Sequence, residues 1–189
     1  MPLDTLLAIR TRFSCRDFSS EAPADENLRL IAEAAIAAPS GMNRQLWRVV
    51  VVKNKGLLAD LEEEGMKNLA GYPDKSAYER IMSRGGKIYY NAPCMIAVPI
   101  AKAPQPGGEL VDCGIVAENI ALAAASLHID SLICGLAAFS FAGEKADEFK
   151  KKLRFPSGYE IGLAVLLGYA KTPGGKPHEP DHSKIIIIK

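Results

Sequence analysis

Between positions 114 and 127 the chain carries only Glu118, Asn119 and Ser126 as polar side chains. A helix over this stretch is apolar almost all round, and such a helix is buried, either inside a core or between subunits. Residues 94–100 and 160–169 read as strands, as do 131–134 and the β-branched run Arg48-Val-Val-Val-Val52. Further helices are expected at 4–10, 24–37, 57–69 and 144–153. In the second of these Leu28, Ile31, Ala32 and Ala35 share a face, and Pro39 ends the run. Residues 71–90 are polar and lack a clear period, while Pro104 to Gly108 reads as a loop. Helices interleave with strands through irregular connections, so a layered α+β fold is favoured over a regular βαβ series.

At 189 residues the chain has room for one domain, taken here as 1–189, with one sizeable core. Its 23 basic and 22 acidic side chains nearly cancel, leaving no global field to attract nucleic acid or an anionic membrane. No apolar run is long enough to span a bilayer, and residues 1–10 lack the pattern of a signal peptide, so a cytoplasmic location is expected. Cys15, Cys94, Cys113 and Cys134 are scattered, which supports neither a zinc site nor a CxxC pair and fits reduced thiols. Ile185-Ile-Ile-Ile188 would be an aggregation-prone edge if left in water, and is expected to pair as a strand, onto a partner subunit.

No GxGxxG, GxxxxGK[ST], GxSxG or HExxH is present, which removes the signatures of the dinucleotide fold, the P-loop, the nucleophile elbow and the zincin. Two other constellations stand out. In Arg12-Phe-Ser-Cys-Arg16 a period of two in extended backbone aims Arg12, Ser14 and Arg16 one way and Phe13 and Cys15 the other. Arginine and serine on one face make a phosphate grip. The same spacing also fits a solvated basic strand. Ala38-Pro-Ser-Gly-Met-Asn-Arg-Gln-Leu-Trp47 is a polar loop in which Ser40, Asn43 and Gln45 both donate and accept hydrogen bonds. It fits the reading of a polar ring, or simply a helix stop and turn anchored by Trp47.

Taken together and in this order, the two segments resemble the nitroreductase family. Arg12-Phe-Ser-Cys-Arg-Asp-Phe18 is similar to its Arg-Arg-Ser-Val-Arg-x-Phe signature, and the second segment to its Ala-Pro-Ser-x-x-Asn-x-Gln-Pro-Trp, losing only the second proline. Asn91-Ala-Pro93, Asp112, Asn119 and Gly168-Tyr169 look like further landmarks, so the likeness covers most of the chain. It implies a central mixed β-sheet flanked by helices and a homodimer with FMN at the interface, the C-terminal segment reaching the partner. Arg12 and Ser14, with Phe13 between them, would then meet the phosphate and ribityl chain, and Arg16 the pyrimidine edge. Pro39, Ser40, Gly41, Met42, Asn43 and Gln45 would approach the ring from the other subunit. Ile133, Cys134, Gly135 and Leu136 resemble the stretch whose backbone lies against the ring. Lys176 and His178 stand where the family often has Lys-x-Arg for the phosphate. Lys87 and Arg84 are candidates for a further basic contact. His178, and His128-Ile-Asp130 in place of Gly-Leu-Gly, depart from the pattern.

The implied activity is an FMN oxidoreductase in which NADH or NADPH and a small oxidised substrate use one open face in turn. A positive Arg16 would favour the charge that reduction adds to the flavin. No side chain is assigned as a nucleophile. The alternative is a flavin-binding protein of the same fold without turnover. A nucleic-acid reading of Arg10, Arg12 and Arg16 is disfavoured by the small net charge.

Overall fold

The computed structural model describes residues 4–101, 103 and 107–189. At its centre lies strand β2 (Cys94–Ile100), in which every residue is buried. A strand without an exposed face must be covered on both sides and along both edges. Its edges pair with β1 (Val50–Val52) and β4 (Glu160–Gly168), and β4 pairs in turn with β3 (Asp130–Cys134). The order is β1-β2-β4-β3, and these three pairings are antiparallel. The four-stranded sheet is thus antiparallel where a mixed one is expected, and an isolated parallel bridge, Ser14 to Ser131, lies beside it where the N-terminal arm runs along β3.

Alternate side chains of β2 and β4 enter opposite layers, as the pleat requires. Met95, Ala97, Ala164 and Leu166 join the core on the side of α3 (Lys55–Gly71), which supplies Leu58 and Leu61. α6 (Ala146–Lys152) adds Phe149 to this layer. Cys94, Ile96, Val98, Val165 and Leu167 face the other layer, built from α2 (Asp25–Ile36) and α5 (Gly108–Ser126). The result is a helix–sheet–helix stack, and α5 is the apolar helix that the sequence requires to be buried.

Only part of α5 is covered within the chain. Cys113, Val116, Ala117, Ile120, Ala121 and Ala124 are buried, whereas Val111 is exposed and Ile115, Leu122 and Ala125 are half-buried. Ile115 still packs against the α2/α5 layer, while Val111, Leu122 and Ala125 are left partly uncovered along the helix. Leu6, Leu7 and Ile9 of α1 (Thr5–Thr11) are likewise exposed.

The observed elements bear on three further expectations. The polar stretch 71–90 contains α4 (Ser76–Met82), which buries only Ile81 and therefore leaves no apolar period to read. In the single chain Ile185 to Ile188 form no strand and are 67–93% exposed, so the pairing expected of them would need a second subunit. Of the loop expected at Pro104 to Gly108, positions 104–106 lie outside the described residues. Gly108 already belongs to α5, behind a left-handed Gly107 with φ 76°.

At the end of β4, Gly168 has no room for a side chain. A Cβ there would lie 2.8 Å from Pro93 Cδ and 2.9 Å from Phe18 Cδ1. This close approach docks Phe18 on the sheet, and the backbone follows: the Ser19 N–H donates to the Tyr169 carbonyl and the Lys171 N–H to the Asp17 carbonyl.

Glu62 of α3 ties that helix to the segment leading into β2, its carboxylate accepting from the N–H groups of Ile88 (2.6 Å) and Tyr89 (2.8 Å). Burial raises this carboxyl above the ordinary glutamate value, against the opposing pull of the two amides and Lys87. The folded chain thus binds this proton more readily than the unfolded one. The stability linked to it is complete below the unfolded value and is lost as pH rises through the folded one. In urea titrations from about pH 4.5 to 7, the unfolding free energy of wild type relative to Glu62→Gln is expected to fall as pH rises. A pH-independent difference would contradict this linkage.

Candidate functional site

Residues 12–18 form an extended arm along β3, held by the Cys15 N–H donating to the Ser131 carbonyl at 2.9 Å. Cys15 points into the core and Arg16 into solvent, in keeping with the period of two. Phe13 is covered from an unexpected direction. Gly175 passes so close that a Cβ on it would come within 2.1 Å of Phe13 Cε2. The tail therefore begins against the arm, with Lys176 and His178 exposed just beyond the contact.

Arg12 Nε is buried and has no hydrogen-bond partner among the described residues. The side chain lines a cavity of about 330 Å³ together with Leu7, Thr11, His128 and Ile129. An unsatisfied buried donor costs about 1–3 kcal/mol, more when charged, so this geometry calls for an acceptor supplied from outside the chain.

Arg16 serves a different cavity, of about 270 Å³, shared with Arg80, Arg84, Tyr90 and the stretch Ile133, Cys134, Gly135 and Leu136. Arg16 and residues 133–136 are thus brought together, as the resemblance implies. Cys134 presents backbone only: its Sγ donates inward to the Ile88 carbonyl at 3.7 Å, and burial pushes the thiol up to about 12. Beside it, Gly135 is open, with nothing within 4 Å of the point a Cβ would occupy. Of the two candidate basic contacts, Arg84 shares the cavity of Arg16, while Lys87 turns to Asn91 Oδ1 and lines another depression. Arg80 was not singled out from the sequence, because an arginine in a polar helix reads as solvated surface.

The loop after α2 is internally braced. Met42, Asn43 and Gln45 have φ of 53°, 54° and 49°, in the left-handed region that non-glycine residues seldom occupy. Ser40 Oγ accepts from the Gln45 N–H at 3.0 Å, and Gln45 Nε2 donates to Asn43 Oδ1 at 2.8 Å. Asp112 Oδ1 accepts from the Gly41 N–H at 3.1 Å, fixing the loop to the start of α5. Pro39, Gly41, Met42 and Asn43 are all exposed, and Trp47 is buried as the anchor. The cavity of Arg12 lies by Ala125, at the other end of α5. About 20 Å of helix separates the two. One chain therefore does not bring its two motifs together.

The sequence departures have local explanations. His128 adopts φ 59°, a conformation that suits glycine and that histidine tolerates better than most residues. Asp130 Oδ2 accepts from the Ala170 N–H at 2.7 Å, a tie that glycine could not make. Of the other landmarks, Asn119 Nδ2 donates to the Ala34 carbonyl at 3.0 Å, joining α5 to α2.

The sequence profile of the nitroreductase family matches residues 9–169. The chain belongs to the nitroreductase family. It is similar to a nitroreductase from Desulfitobacterium hafniense solved with bound FMN, at 55% identity, complete coverage of both chains and a TM-score of 0.94. A nitroreductase from Bacteroides fragilis, also solved with FMN, is 28% identical with a TM-score of 0.88, covering 99% of this chain and 100% of that one. A protein of Methanothermobacter thermautotrophicus, provisionally named an NADH dehydrogenase/NAD(P)H nitroreductase, is 26% identical over 183 residues, 95% of this chain and 85% of that protein.

In this nitroreductase-family chain the unpaired Arg12 makes a specific expectation possible. Arg12→Met keeps the apolar stem and removes the unsatisfied donor, so the ligand-free protein should melt at the same temperature as wild type or higher. A fall of several degrees in a thermal melt would mean that Arg12 is already satisfied by the fold.

Proposed function

We propose that the chain is an FMN-dependent oxidoreductase that takes electrons from NADH or NADPH, passes them to a small organic acceptor, and works as a homodimer. The observation that carries this reading is the buried, unpartnered Nε of Arg12. It sits in the arm of a chain 55% identical along its whole length to an FMN-bound nitroreductase. A phosphate is an acceptor that the planar fork of an arginine matches well.

On this reading Arg12 and Ser14 hold the phosphate end, with Phe13 packed beside them and Lys176 and His178 closing from the tail. Arg16 and the backbone of Ile133, Cys134, Gly135 and Leu136 receive the ring. Pro39, Ser40, Gly41, Met42, Asn43 and Gln45 come from a second subunit, since about 20 Å of α5 separates this loop from the Arg12 cavity within one chain. The partly uncovered side chains of α5, the exposed leucines of α1 and the isoleucine tail supply apolar surface for that partner.

FMN, when bound, supplies the two-electron chemistry. The protein's share is position and field. Arg16 places a permanent positive charge at the edge where reduction adds negative charge. Cys134 takes no chemical part, because its thiol is buried, turned inward and held protonated. All four cysteines are free and buried, in keeping with a reducing cytoplasm. Nitroaromatics, quinones and enones are all suitable acceptors for such an open face. No helix among the described residues is long and apolar enough to cross a membrane.

Purified protein should be yellow and should bleach anaerobically on addition of NADH or NADPH; a yellow protein that does not bleach would favour flavin binding without turnover. Arg16→Ala is expected to lower the flavin reduction potential, because a charge-assisted hydrogen bond worth roughly 1.5–3 kcal/mol is lost from the reduced form. An unchanged potential with FMN still bound would remove Arg16 from the ring. Sedimentation should show a dimer at micromolar concentration, weakened by truncation after Lys184. An FMN-loaded monomer would overturn the two-subunit site.

A further inference from the structure

We infer that the electron acceptor carries an anionic group, a carboxylate or phosphate, and that Arg80 and Arg84 bind it. The inference rests on the flavin reading above and names the substrate class for that site.

The two arginines owe their placement to Ile81. This residue is 1% exposed and fixes α4 against the core, so its neighbours are left at the surface. The Arg84 N–H donates to the Ile81 carbonyl at 2.9 Å, and Gly85 and Gly86 then turn the chain away with φ of 95° and 69°. Both residues line the 270 Å³ cavity that Arg16 also lines. Among the described residues no aspartate or glutamate lines it. Among the same residues neither the Arg80 nor the Arg84 side chain has an ion-pair or hydrogen-bond partner. Other arginines and lysines on this surface do have carboxylate partners, as in Arg29 with Glu33, Lys150 with Glu160 and Lys152 with Glu148.

Three like charges around one cavity repel. The flavin accounts for part of this excess. Its phosphate belongs to the separate cavity of Arg12, and its ring edge needs Arg16. Arg80 and Arg84 remain for the molecule that enters after the flavin is in place. A neutral acceptor would leave both unanswered, whereas a planar oxyanion accepts from the guanidinium fork. Because both arginines are exposed, they also steer an anion towards the open side of Gly135, an effect that weakens with salt.

With 4-nitrobenzoate as probe the overall reaction is ArNO2 + NAD(P)H + H+ → ArNO + NAD(P)+ + H2O. The nitro group gains two electrons and loses one oxygen as water, and the dihydronicotinamide is oxidised. Nitrobenzene is the neutral control, and comparing variant with wild type on each probe cancels their different reactivity. In Arg80→Ala/Arg84→Ala, kcat/KM for 4-nitrobenzoate should fall about tenfold or more while that for nitrobenzene stays within about twofold. Titration calorimetry of the oxidised protein should show benzoate binding that benzamide does not reproduce and that the double variant loses. FMN affinity and the NADH-to-NADPH preference should not change.

Equal losses on both probes would overturn the inference. So would loss of FMN, which would assign the arginines to the cofactor, or a selective loss with NADPH, which would assign them to the donor. Wild-type protein that holds no flavin would defeat the functional reading instead, and benzoate calorimetry would then decide alone whether these arginines bind a carboxylate.

Discussion

Phe18 lies against Gly168 and Pro93 so closely that no side chain fits at position 168. The placement of the N-terminal arm and of the chain's exit from β4 descends from that contact. It brings the N-terminal arm down on the end of the sheet, and from there the arm runs beside β3, with Cys15 hydrogen-bonded to Ser131. Arg12 and Arg16 are then delivered to two different cavities from one short segment. The same contact fixes where the chain leaves β4, so that residues 169–171 pair with 17–19 and the tail starts beside the arm. The missing side chain at 168 thus does more for the site than any residue that touches it.

What could be read from the sequence was whatever the core writes into it. β2 and α5 were legible because burial leaves long apolar runs, and Cys15 and Arg16 because alternation along an extended arm has a fixed period. α4 was not legible, since a helix that buries one residue in Ile81 carries no repeat. Arg80 was hidden with it, and Arg84 was a candidate only through the family likeness. The covering of Phe13 by Gly175 is a contact between the two ends of the chain, and nothing local to either residue encodes it. The isoleucine run illustrates a further limit: β-propensity states that a segment suits a strand, while the supply of a free edge decides whether it becomes one.

The places where the chain departs from the family pattern are informative for the same reason. A histidine at a left-handed position is tolerated at some conformational cost. Asp130 captures the Ala170 amide and so fastens β3 to the segment that feeds the tail. Asp130 thus supplies a side-chain tie that a glycine at this position could not make.

The length of α5 between the braced loop at Asp112 and the cavity by Ala125 has a consequence for the protein when it is scarce. A ligand that needs both ends of that helix can be gripped only by two chains, so its retention obeys mass action in the chains as well as in the ligand. In the proposed two-subunit site, dilution would release the cofactor and separate the pair in one concerted loss, and abundant cofactor would hold pairs together at protein levels where empty chains drift apart. How much of the protein a cell makes would then set the fraction of it that can work.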